Sequence, residues 1–301
     1  MRRLVQIGLP TLFGWGLLSP LTCLLSEWYP DAPVPLLFDW HHIWFLVALL
    51  AYTPATVLFD RLDRRHALID RLTRSYRERR SLSAMLLSVG AVSFILMATT
   101  AALVHEIAAK ALVPMLYQVR HISGYLPVYL LGFGVARSMP LAVALQRSWR
   151  SALAIVVSTA VLYSLWLFVA RALGPTAQQK GGDLVAVMAA SFCPPAAFAL
   201  IFRSAMAVRE VSPLVRRLCD ASLTMYLLHL PLLLVLNAAL APLRLHPYAQ
   251  YTLAIGAAGG LTYAVHVWVV RPTPLLMLLV NGRTDRTGPP PVKQHDQPTT
   301  H

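Results

Sequence analysis

Eight apolar stretches, near 4–26, 40–59, 81–104, 122–136, 151–170, 184–202, 221–241 and 251–270, run through this chain of 301 residues. Each has roughly the ~20 residues that carry an α-helix across a bilayer's hydrocarbon core. No water reaches that depth, so every backbone N–H and C=O must find its partner inside the segment, which a helix provides. The expected fold is all-α: a polytopic integral membrane bundle of about eight transmembrane helices. Charged residues make up only 13% of the chain, about half the ~25% that a water-facing surface carries. A soluble globular domain and a disordered chain are both excluded. The apolar runs are continuous rather than alternating, which excludes a porin-type barrel. The first run holds Pro10 and Pro20. It is too long for a signal peptide's apolar region and reads as a retained span with tolerated kinks.

The net charge of +13 comes from 26 Lys and Arg residues against 13 Asp and Glu. The basic residues sit at the ends of apolar runs rather than along one exposed face, so nucleic acid is not the expected partner; the lipid bilayer is. Counting alternate loops, 21 of the 26 fall on one side, and five (Lys110, Arg120, Arg171, Lys180 and Arg244) on the other. The positive-inside rule then places both termini in the cytoplasm. Trp28, Tyr29, Trp40 and Trp44 flank the loop from Glu27 to Asp39, as an aromatic belt at the outer interface would. Cys23, Cys193 and Cys219 form no CxxC pair and are expected to be buried free thiols.

The sequence predicts a transmembrane domain over 1–275 and a disordered cytoplasmic tail over 276–301, rich in Pro, Thr and Gln. Segment 60–80 is the one sizeable polar loop. It reads as a solvated basic loop that sets topology, with a short amphipathic helix on the inner leaflet as the alternative.

An ionisable group at membrane depth is costly, so each one marks a partner or a cavity. His42, His229, Asn237 and His266 are the main candidates. On a helix Ser222, Tyr226 and His229 share one face, and Pro231 removes the hydrogen bond to the Leu227 carbonyl beside them. An interhelical hydrogen bond that only holds the bundle together is the competing reading. His41 and His42 are adjacent and cannot share a helical face, so no metal pair is expected there. No HExxH, GxSxG, GxGxxG or P-loop occurs.

His42-Ile-Trp-Phe-Leu46 resembles the HLWFL motif of the acyltransferase-3 family of integral membrane O-acyltransferases. Ser222 through Pro231 resembles that family's SxxxYLxHxP segment, and Tyr125 through Gly134 is similar to its YLPFFLLGxL span. The ending from His266 to Gly282 looks most like the glucan succinyltransferase (glucans biosynthesis protein C) branch. The resemblance implies an enzyme of the bacterial inner membrane that moves an acyl group, succinyl in that branch, from a cytoplasmic acyl-CoA to a glycan hydroxyl. Acyl-CoA is then a donor substrate, with no bound cofactor and no metal. The resemblance also implies His42, His229 and Tyr226 as catalytic candidates, with Trp44, Ser222 and Arg3 as substrate-binding ones. The family's RxxR motif keeps only its first arginine in Arg3-Leu-Val-Gln6. The family's Arg-x10-His element belongs to its first helix, whereas this chain starts where the third would. The expectation is therefore a chain two helices short, a fragment or a degenerate relative, and catalytically weak as given. The alternative is a non-catalytic membrane subunit or a glycan or lipid translocator that keeps the fold.

Overall fold

The computed structural model describes residues 2–28, 43–78, 82–107, 113–208 and 210–283. The described residues are helical almost throughout. In chain order the helices are α1 (Arg2–Phe13), α2 (Ser19–Ser26), α3 (Trp44–His66), α4 (Leu68–Glu78), α5 (Leu82–Ile107) and α6 (Val113–Arg137). They continue as α7 (Met139–Arg147), α8 (Trp149–Ala170), α9 (Pro175–Ala207), α10 (Pro213–Leu240), α11 (Pro247–Val265) and α12 (Pro274–Asn281). One π turn, Gly14–Leu18, joins α1 to α2, and a second, His266–Val270, extends α11.

Seven spans among the described residues are long and apolar enough to cross a membrane, and α6 with α7 makes an eighth if the bent pair counts as one. All eight apolar stretches thus have a helical counterpart. The α6–α7 pair bends by 119° at Ser138, whose extended backbone breaks the helix and whose hydroxyl accepts from the Leu141 N–H to start the next.

The helices extend past the apolar runs that announced them. α6 starts at Val113 and α9 at Pro175, each nine residues before the run read from hydropathy. Arg120, counted above as loop, and its neighbour His121 are therefore half-buried helical residues. Residues 60–66 and 68–78 of the polar segment are likewise helical rather than loop. α3 runs on to His66, and after Ala67, at φ 47°, α4 begins. The Asp63 carboxylate accepts from the Ile69 N–H at 2.8 Å and caps α4. Ile69 enters the protein core beside Met85, Leu86, Leu131 and Leu141, while Arg71 and Arg74 face outward. The apolar stripe of α4 is anchored in protein, which is why this segment holds helix.

The first residues assigned above to the tail are helical. Residues 276–281 complete α12, apolar enough to pack, and Gly282 ends it at φ 61°. Residues 284–301 lie outside the described residues. Of the three cysteines, Cys23 is buried, Cys193 half-buried and Cys219 exposed. A thiol is apolar enough to face lipid, so Cys219 needs no protein cover.

Packing divides the chain into two units, residues 1–46 with 211–301, and residues 47–210. In the first, α10 packs on α11 and α2, while α1 packs on α12. Gly282 lies against the Gln6 backbone, so the beginning of α1 and the end of α12 meet. The second unit is built on the α8–α9 and α5–α6 pairs, joined by α5 against α9.

Candidate active site

The first unit gathers its chemistry along α10. Ser212 caps this helix through its hydroxyl, which accepts from the Val215 N–H. One face of α10 (Ala221, Thr224, Leu227 and Pro231) is buried, and the adjoining strip carries Tyr226 and His229, both half-buried.

His229 donates from Nδ1 to the Tyr226 carbonyl oxygen at 2.5 Å. A carbonyl only accepts, so this bond fixes the proton on Nδ1 and puts the neutral ring's lone pair on Nε2. The two rings stand 5.8 Å apart, tilted by 39°. Phe45 then meets Tyr226 edge-on at 5.8 Å, and Trp44 meets Phe45 edge-on at 6.2 Å. The Phe45 backbone also hydrogen-bonds the Tyr226 hydroxyl. An aromatic row thus runs from Trp44 to His229, joining the start of α3 to the middle of α10.

The approach is permitted by Gly14 in the first π turn. A Cβ there would stand 3.0 Å from Ile43 and 3.1 Å from Leu227. Single π turns often occur at functional positions.

The proposed site residues therefore fare differently. Tyr226 and His229 are in contact, and Trp44 is linked to them through Phe45. Ser222 is exposed, and its hydroxyl donates to the Cys219 carbonyl at 2.8 Å, so it does not join them. Arg3 lies in α1, but its side chain lies outside the described residues. His42, like His41, Tyr29 and Trp40, also lies outside them, directly before buried Ile43.

A second polar cluster was only partly legible. His266 opens the π turn after α11 and is 4% exposed. The Thr224 hydroxyl donates to Asn281 Oδ1 at 3.2 Å and pairs with His266 Nδ1 at 2.9 Å. A hydroxyl has one proton, so His266 must donate from Nδ1. Three buried side chains from α10, α12 and the π turn are thereby locked, and an ion pair at 3.5 Å joins Asp220 of α10 to Arg283, just past the end of α12. Thr224 and Asn281 escaped notice because both are common small polar residues inside apolar runs. The Asn281-Gly282 pair at the end of such a run was the available signal.

The second unit has its own polar set. The Tyr52 hydroxyl donates to the Ile122 carbonyl at 2.5 Å, and the Tyr52 and Tyr129 rings lie 4.8 Å apart. His121 stacks on Tyr125 and accepts from Arg120 at 3.4 Å. Among the described residues no group of three or more His, Cys, Asp or Glu side chains could hold a metal ion.

A bundle of helices long and apolar enough to cross a membrane, with an aromatic row ending on His229 in one unit, defines an integral membrane protein. The family model for the acyltransferase-3 type, described as an acyltransferase domain, matches residues 1–271. The chain belongs to that family, and is a membrane acyltransferase in its general class. No curated protein and no solved structure matches it.

Proposed function

We propose that this protein transfers an acyl group, succinyl as the leading candidate, from a cytoplasmic acyl-CoA to a glycan hydroxyl. Its place is the bacterial inner membrane, with both termini in the cytoplasm. The observation that carries the reading is the fixed tautomer of His229, which presents a basic Nε2 beside an aromatic row in a chain of this family.

The acceptor hydroxyl gives its proton to His229 Nε2 as its oxygen attacks the thioester carbonyl. The tetrahedral intermediate collapses, the C–S bond breaks, and the CoA thiolate takes the proton back from the imidazolium. The Tyr226 carbonyl supports the charged ring, because it accepts from Nδ1 throughout. Trp44 offers an apolar face to a sugar ring, and His42 is the further histidine proposed for the site. Ser222 is the further proposed substrate contact: its hydroxyl donates to the Cys219 carbonyl and keeps its lone pairs to accept. Arg3 is the proposed contact for the CoA phosphates.

The test is acyl transfer by residues 1–301 in vesicles, with labelled succinyl-CoA inside and oligosaccharide outside. His229→Gln should lower the rate about 10²–10⁴-fold, the usual contribution of a general base, at unchanged yield of folded protein. Transfer by His229→Gln at the unaltered rate overturns the assignment of the base. No transfer by the unaltered protein, with any acyl-CoA offered, overturns the activity.

A further inference from the structure

We propose that the second unit holds one anionic phospholipid, with an acyl tail in a slot between α5, α8 and α9 and its phosphate between Arg171 and Lys180. The slot is a cavity of about 600 Å³, within the ~300–1,000 Å³ range of ligand sites. It runs along α8 from Ala154 to Val169, about 22 Å at 1.5 Å per residue. Leu87 lines it from α5 and Phe192 from α9.

The occupant follows by elimination. Water needs two to four polar partners, and the lining offers only Ser158 and Thr159 as hydroxyls. The Thr159 hydroxyl already donates to the Ile155 carbonyl at 2.7 Å. An empty slot would forfeit the dispersion contacts of its whole lining. All three walls are membrane-crossing helices, so hydrocarbon is the surrounding solvent, and Leu162 and Leu165 line an open side toward it.

The shape of the slot depends on Trp166. Its indole lies against Gly181 of α9, where any Cβ would run into the ring. Two cations mark this end. Arg171 follows Val169 by two residues, and Lys180 directly precedes Gly181. Both are exposed, and neither forms an ion pair among the described residues. They are two of the five basic residues on the otherwise base-poor side of the chain, where a topological role gives them no reason to be. A phosphate at the mouth of the slot does.

The test is lipid retention. The full chain is reconstituted with equal parts of phosphatidylglycerol and phosphatidylcholine, purified in mild detergent and weighed by native mass spectrometry. One phospholipid should stay bound, with phosphatidylglycerol favoured about fivefold. Ala154→Phe, which fills the slot, should abolish retention. Leu162→Trp, at the open rim and clear of the packed side, should do the same and serves if Ala154→Phe misfolds. Arg171→Gln with Lys180→Gln should keep the lipid and erase the headgroup preference. Equal retention by the unaltered protein and both slot variants, or a polypeptide bound in place of lipid, overturns the proposal.

Discussion

One hydroxyl, that of Thr224, holds both His266 and Asn281. All three side chains are buried, so Thr224→Val would strand an imidazole N–H and an amide oxygen. The expected cost is about 1–3 kcal/mol for each group left unpaired, while Thr224→Ser should be close to neutral. Thermal unfolding in detergent, compared between the two variants, measures this. Tyr226 behaves in the opposite way. Its main-chain oxygen, not its ring, orients His229, so Tyr226→Phe should keep acyl transfer within about tenfold of the unaltered rate. A loss as large as that of His229→Gln would mean that the phenol takes part in proton transfer.

The joint between α3 and α4 is where an element is decided by its ends. Ala67 sits at φ 47°, a left-handed conformation that costs a residue with a Cβ about 1–2 kcal/mol. Ala67→Gly should therefore stabilise the joint by up to about 1 kcal/mol. Asp63→Ala removes the cap on the Ile69 N–H and should cost about 0.5–2 kcal/mol. Hydrogen exchange at residues 69–71 reads both changes, slower for the glycine and faster for the alanine. At the other end of the chain, Gly282 combines φ 61° with a close approach to the Gln6 backbone. Gly282→Ala should release α12 from α1 and expose residues 274–281 to protease.

At the scale of the whole molecule the contact between Gln6 and Gly282 agrees with an even number of crossings, which leaves both ends on one side. The bias of 21 basic residues to five says which side. Reporter fusions after Arg80 and after Gln179 should therefore report cytoplasm and exterior respectively. A shared compartment for the two would break the eight-span topology.

What the sequence determined by itself was the solvent, the order of the apolar spans, the family, and the neighbourhood of Tyr226 and His229 on one strip of α10. The family follows from the motif residues, and the rest from hydropathy and 3.6-residue periodicity, which are properties of a single segment. It could not determine which strip of a span faces protein. In water, burial follows apolarity, but in a bilayer both lipid and the bundle interior are apolar, so hydrophobicity no longer distinguishes them. Ser222 and Thr224 show the consequence: two residues apart and alike in chemistry, one is exposed and the other fully buried. The same blindness hid the helical state of Arg120 and His121. Their place in α6 is set by backbone hydrogen bonds that continue past the apolar run, which side-chain hydropathy does not report. Only packing chose Thr224 as the residue that joins three segments, and only packing set Phe45 against Tyr226.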